Sequence, residues 1–188
     1  MNIARSEEYK LVERLHRGDR KALEQLYRSY HSELFRYALK LTADAQLAED
    51  AMQDTFVAVW AYREKMTRIK SMRLYLLQVI RNQSLRLLKR KKRFQWLGSQ
   101  PDFRIQINPE ELRLKDNSQI AKQKLAKALK TLTVRQQEVI YLKFYENLDY
   151  QEIADLLSIN YQSVVNHIYR AMQVLRKADA IRHLDQDY

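Results

Sequence analysis

The chain has 188 residues, a formal net charge of +11 and no cysteine. That length bounds it to one or two small domains, and the charge favours a polyanionic partner, nucleic acid first and an anionic membrane surface second. The missing thiols exclude disulfides and thiolate metal sites, and two Gly, two Pro and no long alternating stretch point away from sheets and towards an all-α protein.

The amino terminus carries no apolar signal region, and no segment is apolar enough to span a membrane. A cytoplasmic protein without membrane insertion is therefore expected. A first helix is predicted over residues 6–17, with Tyr9, Leu11, Val12 and Leu15 inward and Gly18 ending it. Asp19 caps a second helix whose inward positions are Leu23, Leu26, Tyr27, Tyr30, Leu34, Ala38 and Leu41. Residues 42–44 break the period, and Asp44 caps the next helix.

The third helix, over residues 45–62, places Ala48, Ala51, Met52, Thr55 and Val59 on one face. Glu49, Gln53, Phe56 and Trp60 form the adjacent stripe, and Asp50 and Asp54 lie together elsewhere. An acidic patch in so basic a chain is poorly suited to nucleic acid and better suited to a basic protein surface. The alternative is a solvated acidic first turn that favours the helix dipole, and the pattern alone does not choose between them.

Ser71 caps a fourth helix that continues to Arg93. Leu74, Leu77, Leu85 and Leu88, flanked by Leu76 and Ile80, give an apolar side. Tyr75, Gln78, Asn82, Arg86, Lys89 and Arg93 share a narrow opposite sector, and the run that includes Arg90 and Lys91 adds cations at its end. An aromatic ring stacks on a base, amides bond base edges, and Arg and Lys hold phosphates. The alternative is a solvated charged face.

Residues 95–119 contain Gly98, Pro101 and Pro109 together with Asp102, Glu110, Glu111 and Asp116, and they read as a linker. Trp96, Leu97, Phe103, Ile105 and Ile107 make it too apolar for a free coil, so part of it is expected to dock. Two small helical domains follow, residues 1–94 and 120–188.

The helical period returns with Leu125, Ala128, Leu129 and Leu132, and Thr133 caps a helix carrying Val134, Val139, Ile140, Leu142 and Phe144. Asp149 caps the next, with Ile153, Ala154 and Leu157 on one face; residues 158–160 break the period. The last helix buries Val164, Ile168, Ala171, Met172 and Leu175, and its other side carries Gln162, Asn166, Tyr169, Arg170 and Gln173. This is a helix-turn-helix, whose second helix is suited to a DNA major groove. A helical hairpin packed within some other domain is the alternative. The tail after Leu175 is polar and expected to fray.

Together these motifs resemble the bacterial RNA polymerase sigma factors of the extracytoplasmic-function (ECF) group, in the sigma-70 family. The likeness runs from residue 22 to residue 177. Residues 48–60 match the polymerase-clamp motif, residues 76–82 the segment that opens and reads the minus-ten element, and residues 132–133 and 150–171 the domain that reads the minus-thirty-five element.

By that resemblance Asp50, Gln53 and Asp54 contact the polymerase clamp helices, while Phe56 and Trp60 pack. Asn82 holds a flipped non-template base, flanked by Tyr75 and Arg86; Gln78 also faces the minus-ten DNA, and Lys89, Arg90 and Arg93 hold phosphates. Gln162, Ser163, Asn166 and His167 face minus-thirty-five base edges, and Arg170 holds the backbone. The implied partners are core RNA polymerase, promoter DNA and an anti-sigma protein, often membrane-anchored.

The chain also departs from the pattern. Tyr75 stands where many members have Trp, and Arg86 where many have Asp. Val165, Asn166 and His167 replace the common Lys-Ser-Arg. Ser158 replaces the usual turn Gly, which is tolerable if it keeps a negative φ. A free-standing helix-turn-helix regulator would explain only the C-terminal motif. An enzyme acting on nucleic acid would need clustered carboxylates or histidines, and His16, His31, His167 and His183 are scattered. No cofactor, metal site or catalytic residue is expected.

Overall fold

The computed structural model describes residues 5–69, 71–94, 105 and 119–177, with backbone alone at 5–6, 67–68, 92–94 and 119–122. The chain divides into two compact units, Met1–Pro101 and Asp102–Tyr188. Eight α-helices and one 3₁₀ segment, and no strand, occur among the described residues, so the all-α expectation stands.

The first unit holds α1 (Arg5–His16), α2 (Arg20–Thr42), α3 (Ala45–Tyr62), the 3₁₀ segment Arg63–Arg68 and α4 (Met72–Phe94). Its helices start where a side-chain oxygen meets free amides. Asp19 accepts from Lys21 N–H, Asp44 from Gln46 and Leu47, and Ser71 Oγ from Leu74 N–H at 3.3 Å. Gly18, at φ +81°, makes the left-handed turn between α1 and α2.

Helices α2, α3 and α4 pack on one another. Leu26, Leu34, Tyr37 and Leu41 meet Ala48, Ala51, Met52 and Val59 of α3 and Leu76, Leu77 and Ile80 of α4 in the core, all at 1% exposure or less. Burying a large apolar side chain contributes about 1.5–3 kcal/mol, and the two alanines of α3 let neighbouring backbones approach. Leu11 and Leu15 anchor α1, and Glu8 Oε1 accepts the Met72 N–H at 2.6 Å.

Four details differ from the sequence reading. Tyr9, expected inward, is 72% exposed, and Tyr27 lies at the margin rather than in the core. Tyr37, not singled out, is fully buried. On α4 the buried side is Met72, Leu76, Leu77, Ile80, Arg81 and Ser84, while Leu74, Leu85 and Leu88 are half-exposed. The reason is that α4 packs on α2 and α3 together, which turns its core-facing sector by about one residue, at ~100° per residue.

The second unit holds α5 (Gln119–Thr131), α6 (Val134–Phe144), α7 (Tyr150–Leu157) and α8 (Tyr161–Lys177), with α8 packed against the other three. Capping boxes start two helices: Thr133 with Gln136, and Asp149 with Glu152. Buried polar groups join the helix ends. Gln137 Nε2 donates to the Leu129 and Leu132 carbonyls at 2.9 and 3.3 Å, and Tyr141 Oη donates to Glu146 Oε1 at 2.8 Å. Of the expected linker Ile105 is described and buried, and Gln119, its last residue, already opens α5. Residues 95–104 and 106–118, and the tail after Lys177, lie outside the described residues.

Candidate functional site

The acidic patch of α3 lies on its second turn and beyond, because the first turn contains no acid. Dipole effects fall off within the first turn, so that explanation of the patch fails. Gln53 is exposed, Asp50 and Asp54 are half-buried, and Gln46 Nε2 donates to Asp50 Oδ1 at 3.1 Å. Phe56 packs inward at 8% exposure, edge-on to the Tyr27 ring at 5.0 Å. Trp60 is half-buried, with the Arg63 guanidinium 4.8 Å from its ring centre.

Beside the patch runs the polar stripe of α4. Asn82, Arg86, Lys89 and Arg90 are exposed, and Tyr75 and Gln78 are half-buried. The side chain of Arg93 lies outside the described residues. Burial, and then the neighbouring Tyr62, push the Tyr75 phenol above its ordinary value.

Ion pairs tie α4 to α3 and to its cap residue, Asp44. Arg86 donates to Asp54 Oδ2 at 2.7 Å, and Lys91 Nζ to Asp44 Oδ2 at 2.6 Å. The hydrogen bond from Lys91 holds the Asp44 carboxyl below its ordinary value. Arg86 and Asp54 carry separate expected roles, yet the fold brings them together.

In the second unit the helix-turn-helix is formed by α7 and α8. Asn160 Oδ1 accepts the Ser163 N–H at 2.7 Å and so caps α8. Ser158 does not keep a negative φ: it sits at φ 53°, ψ 48°. This left-handed residue closes α7, with the Ile159 N–H bonding the Ala154 carbonyl at 3.0 Å. For a residue with a Cβ the conformation costs about 1–2 kcal/mol, which explains why glycine suits the position.

Val164, Ile168, Ala171, Met172 and Leu175 are buried as expected. Gln162, Asn166 and Arg170 are exposed on the outer side, and Ser163 and His167 are half-buried at its edge. Gln162 Nε2 donates to Asn166 Oδ1 at 3.3 Å. Burial first, and then the charges of Arg135 and Arg170, hold the His167 imidazole below its ordinary value.

Some neighbours were not legible in the sequence. Arg135, at the start of α6, lies within electrostatic reach of His167, while its guanidinium holds the buried Glu138 carboxylate at 3.1 Å. Tyr161 rests against Tyr150 at 5.9 Å, and Lys143 Nζ lies 5.0 Å from the Tyr150 ring centre. Tyrosines opening both helices were the available signal. Among the described residues no cluster of His, Asp and Glu could hold a metal, and no helix is long and apolar enough to cross a membrane.

Comparison with known proteins agrees with this layout. The family description "Sigma-70 region 2" matches residues 26–94, and "Sigma-70, region 4" matches residues 122–175. The ECF RNA polymerase sigma factor SigL of Mycobacterium tuberculosis is 31% identical over 155 residues, covering 80% of this chain and 85% of SigL. The RNA polymerase sigma factor YlaC of Bacillus subtilis is 26% identical over 167 residues, covering 84% of this chain and 92% of YlaC. In fold, the chain resembles CnrH, solved in complex with the cytosolic domain of CnrY (TM-score 0.63, 19% identity, 93% and 98% of the two chains covered). It also resembles the sigma factor RpoE of Bartonella quintana, solved with the anti-sigma factor NepR (TM-score 0.60, 21% identity, 87% and 99% covered).

Proposed function

Since the chain belongs to the ECF sigma factors of the sigma-70 family, we propose a division of labour among the surfaces just described. The protein is a transcription initiation factor that binds core RNA polymerase, directs it to specific promoters and helps open the DNA. In the reading advanced here, Asp50, Gln53 and Asp54 of α3 meet the polymerase clamp. Asn82 receives a flipped minus-ten base, with Tyr75, Gln78 and Arg86 around it. Lys89, Arg90 and Arg93 hold phosphates of the melted strand. Gln162, Ser163, Asn166 and His167 face minus-thirty-five base edges, and Arg170 holds the backbone beside them.

The observation that carries this reading is the acid–amide patch of α3 next to the exposed cation–amide stripe of α4. One surface favours a basic protein and the other a nucleic acid, which is what a factor bridging enzyme and promoter requires. Residues 1–94 form the clamp-binding and minus-ten domain, residues 95–119 the linker and residues 120–188 the minus-thirty-five domain. No catalytic residue is assigned, and the work is done by binding free energy. The protein acts where polymerase and promoter meet, in the cytoplasm. A free-standing regulator gains no support, because it does not account for region 2. RpoE of Bartonella quintana was solved with the anti-sigma factor NepR, and by that likeness this chain too takes an anti-sigma factor.

The test is capture of purified core polymerase. Reversing Asp50 and Asp54 to Lys should weaken core binding while leaving the helical circular-dichroism signal intact. Unchanged affinity for core would remove the assignment.

A further inference from the structure

Asp54 and Arg86 lie 32 residues apart in sequence and on different helices, and their side chains meet at 2.7 Å. The proposed function gives them different partners: Asp54 the polymerase, Arg86 the DNA. Neither can serve its partner fully while it serves the other. A carboxylate beside Arg86 cancels its charge and repels any phosphate that approaches. A guanidinium on Asp54 likewise repels the basic surface expected to dock there. We propose that this ion pair couples polymerase docking to DNA capture: in the free protein Asp54 masks Arg86, and docking draws Asp54 onto the polymerase and frees Arg86 for the promoter strand. The inference rests on the polymerase and DNA assignments above.

The geometry suits an exchangeable contact. The Arg86 side chain is 65% exposed and that of Asp54 39%, so a partner reaches either without unfolding a helix. The pair has company, since Lys91 lies on Asp44. Two cations of the α4 surface are thus committed, one to Asp54 of α3 and one to its cap Asp44, while Lys89 and Arg90 are exposed. Coupling of this kind is reciprocal: strand binding to Arg86 releases Asp54 and strengthens core binding by the same factor. Exposed ion pairs are weak, so the expected effect is roughly two- to fivefold.

The experiment uses the full-length protein, a labelled single-stranded 20-nucleotide probe of mixed sequence, and core RNA polymerase. Wild type, Asp54→Asn, Arg86→Gln and the double variant are compared for probe affinity, its salt dependence and core affinity. In the free protein, Asp54→Asn should bind the probe roughly two- to fivefold more tightly. Its salt slope should steepen by about 0.7, the increment for one further phosphate contact on a single strand. The gain should vanish in the Arg86→Gln background, and at saturating core Asp54→Asn should lose its advantage over wild type. Core affinity should fall. Lowered core affinity with no gain for the probe would overturn the coupling and leave the polymerase assignment standing. A gain that persists without Arg86 would also overturn it, since any lost negative charge would then suffice. Unchanged core affinity would instead sink the assignment of Asp54 to the polymerase, and the coupling with it.

Discussion

Replacing Tyr141 by Phe tests how the helix-turn-helix is held. The Tyr141 ring is fully buried in α6, and its hydroxyl donates to Glu146 Oε1 at 2.8 Å; Glu146 is only 3% exposed. The Glu146 N–H bonds the Tyr141 carbonyl at 3.3 Å, which folds the end of α6 into the turn before Asp149. Removing the hydroxyl leaves a buried carboxylate short of one donor and barely changes volume. The ring can keep its stack on Tyr145, at 5.1 Å between centres. A lost hydrogen bond to a buried charged group costs about 1.5–3 kcal/mol. At about 1.4 kcal/mol per factor of ten, the slowest amides of α6 and α7 should exchange hydrogen ~10- to ~150-fold faster. Amides of α2 and α3, in the other compact unit, serve as the internal control. Acceleration below about twofold, or equal acceleration in both units, would refute the reasoning.

Other expectations follow from the same geometry. Asn82→Ala should weaken binding to a minus-ten single strand, and opening of a duplex promoter, by ~1–3 kcal/mol; loss of neither would mean that the α4 stripe meets only phosphates or solvent. Asn166→Ala should change the ranking of minus-thirty-five variants, whereas Arg170→Ala should weaken all of them alike and flatten the salt dependence; an unchanged ranking with Asn166→Ala would remove its base-reading role. For His167 the sign follows from its lowered value, caused first by burial and then by Arg135 and Arg170. As pH falls from about 7 to about 5 the unfolded chain takes up the proton first, so stability present with the neutral ring is lost. His167→Gln should flatten the fall in melting temperature over that range, and identical slopes would contradict it.

Much of the fold was legible because its signals are local. Asp19, Asp44, Thr133 and Asp149 cap where the sequence placed them, since a cap needs only a side-chain oxygen and the next few amides. The buried stripe of α8 followed from period alone. What failed depended on tertiary partners. Periodicity could not say that α4 packs on two helices, which turns its core face, or that Tyr9 lies outward. Gln137, Glu138 and Glu146 are polar residues that periodicity did not single out, yet all three are buried, at 3% exposure or less. The Ser158 backbone follows from the need to close α7 tightly before α8, which residue type did not disclose. The Asp54–Arg86 contact joins two patches that the sequence presented as separate.

The central claim is that this chain reads a promoter as part of the polymerase. The direct measurement is a footprint at moderate salt on a promoter fragment recovered by the holoenzyme, with the protein alone and with core enzyme. Small basic modules bind duplex mainly through phosphates, with affinity that falls steeply with salt. Strand separation also costs energy that one small domain does not supply alone. Docking on one large enzyme fixes the spacing of the two DNA-reading surfaces and raises their effective concentration on a single promoter. The protein alone should give weak, non-specific protection, and specific protection over both elements should appear once core is added. Sequence-specific protection by the protein alone, unimproved by core, would contradict that claim.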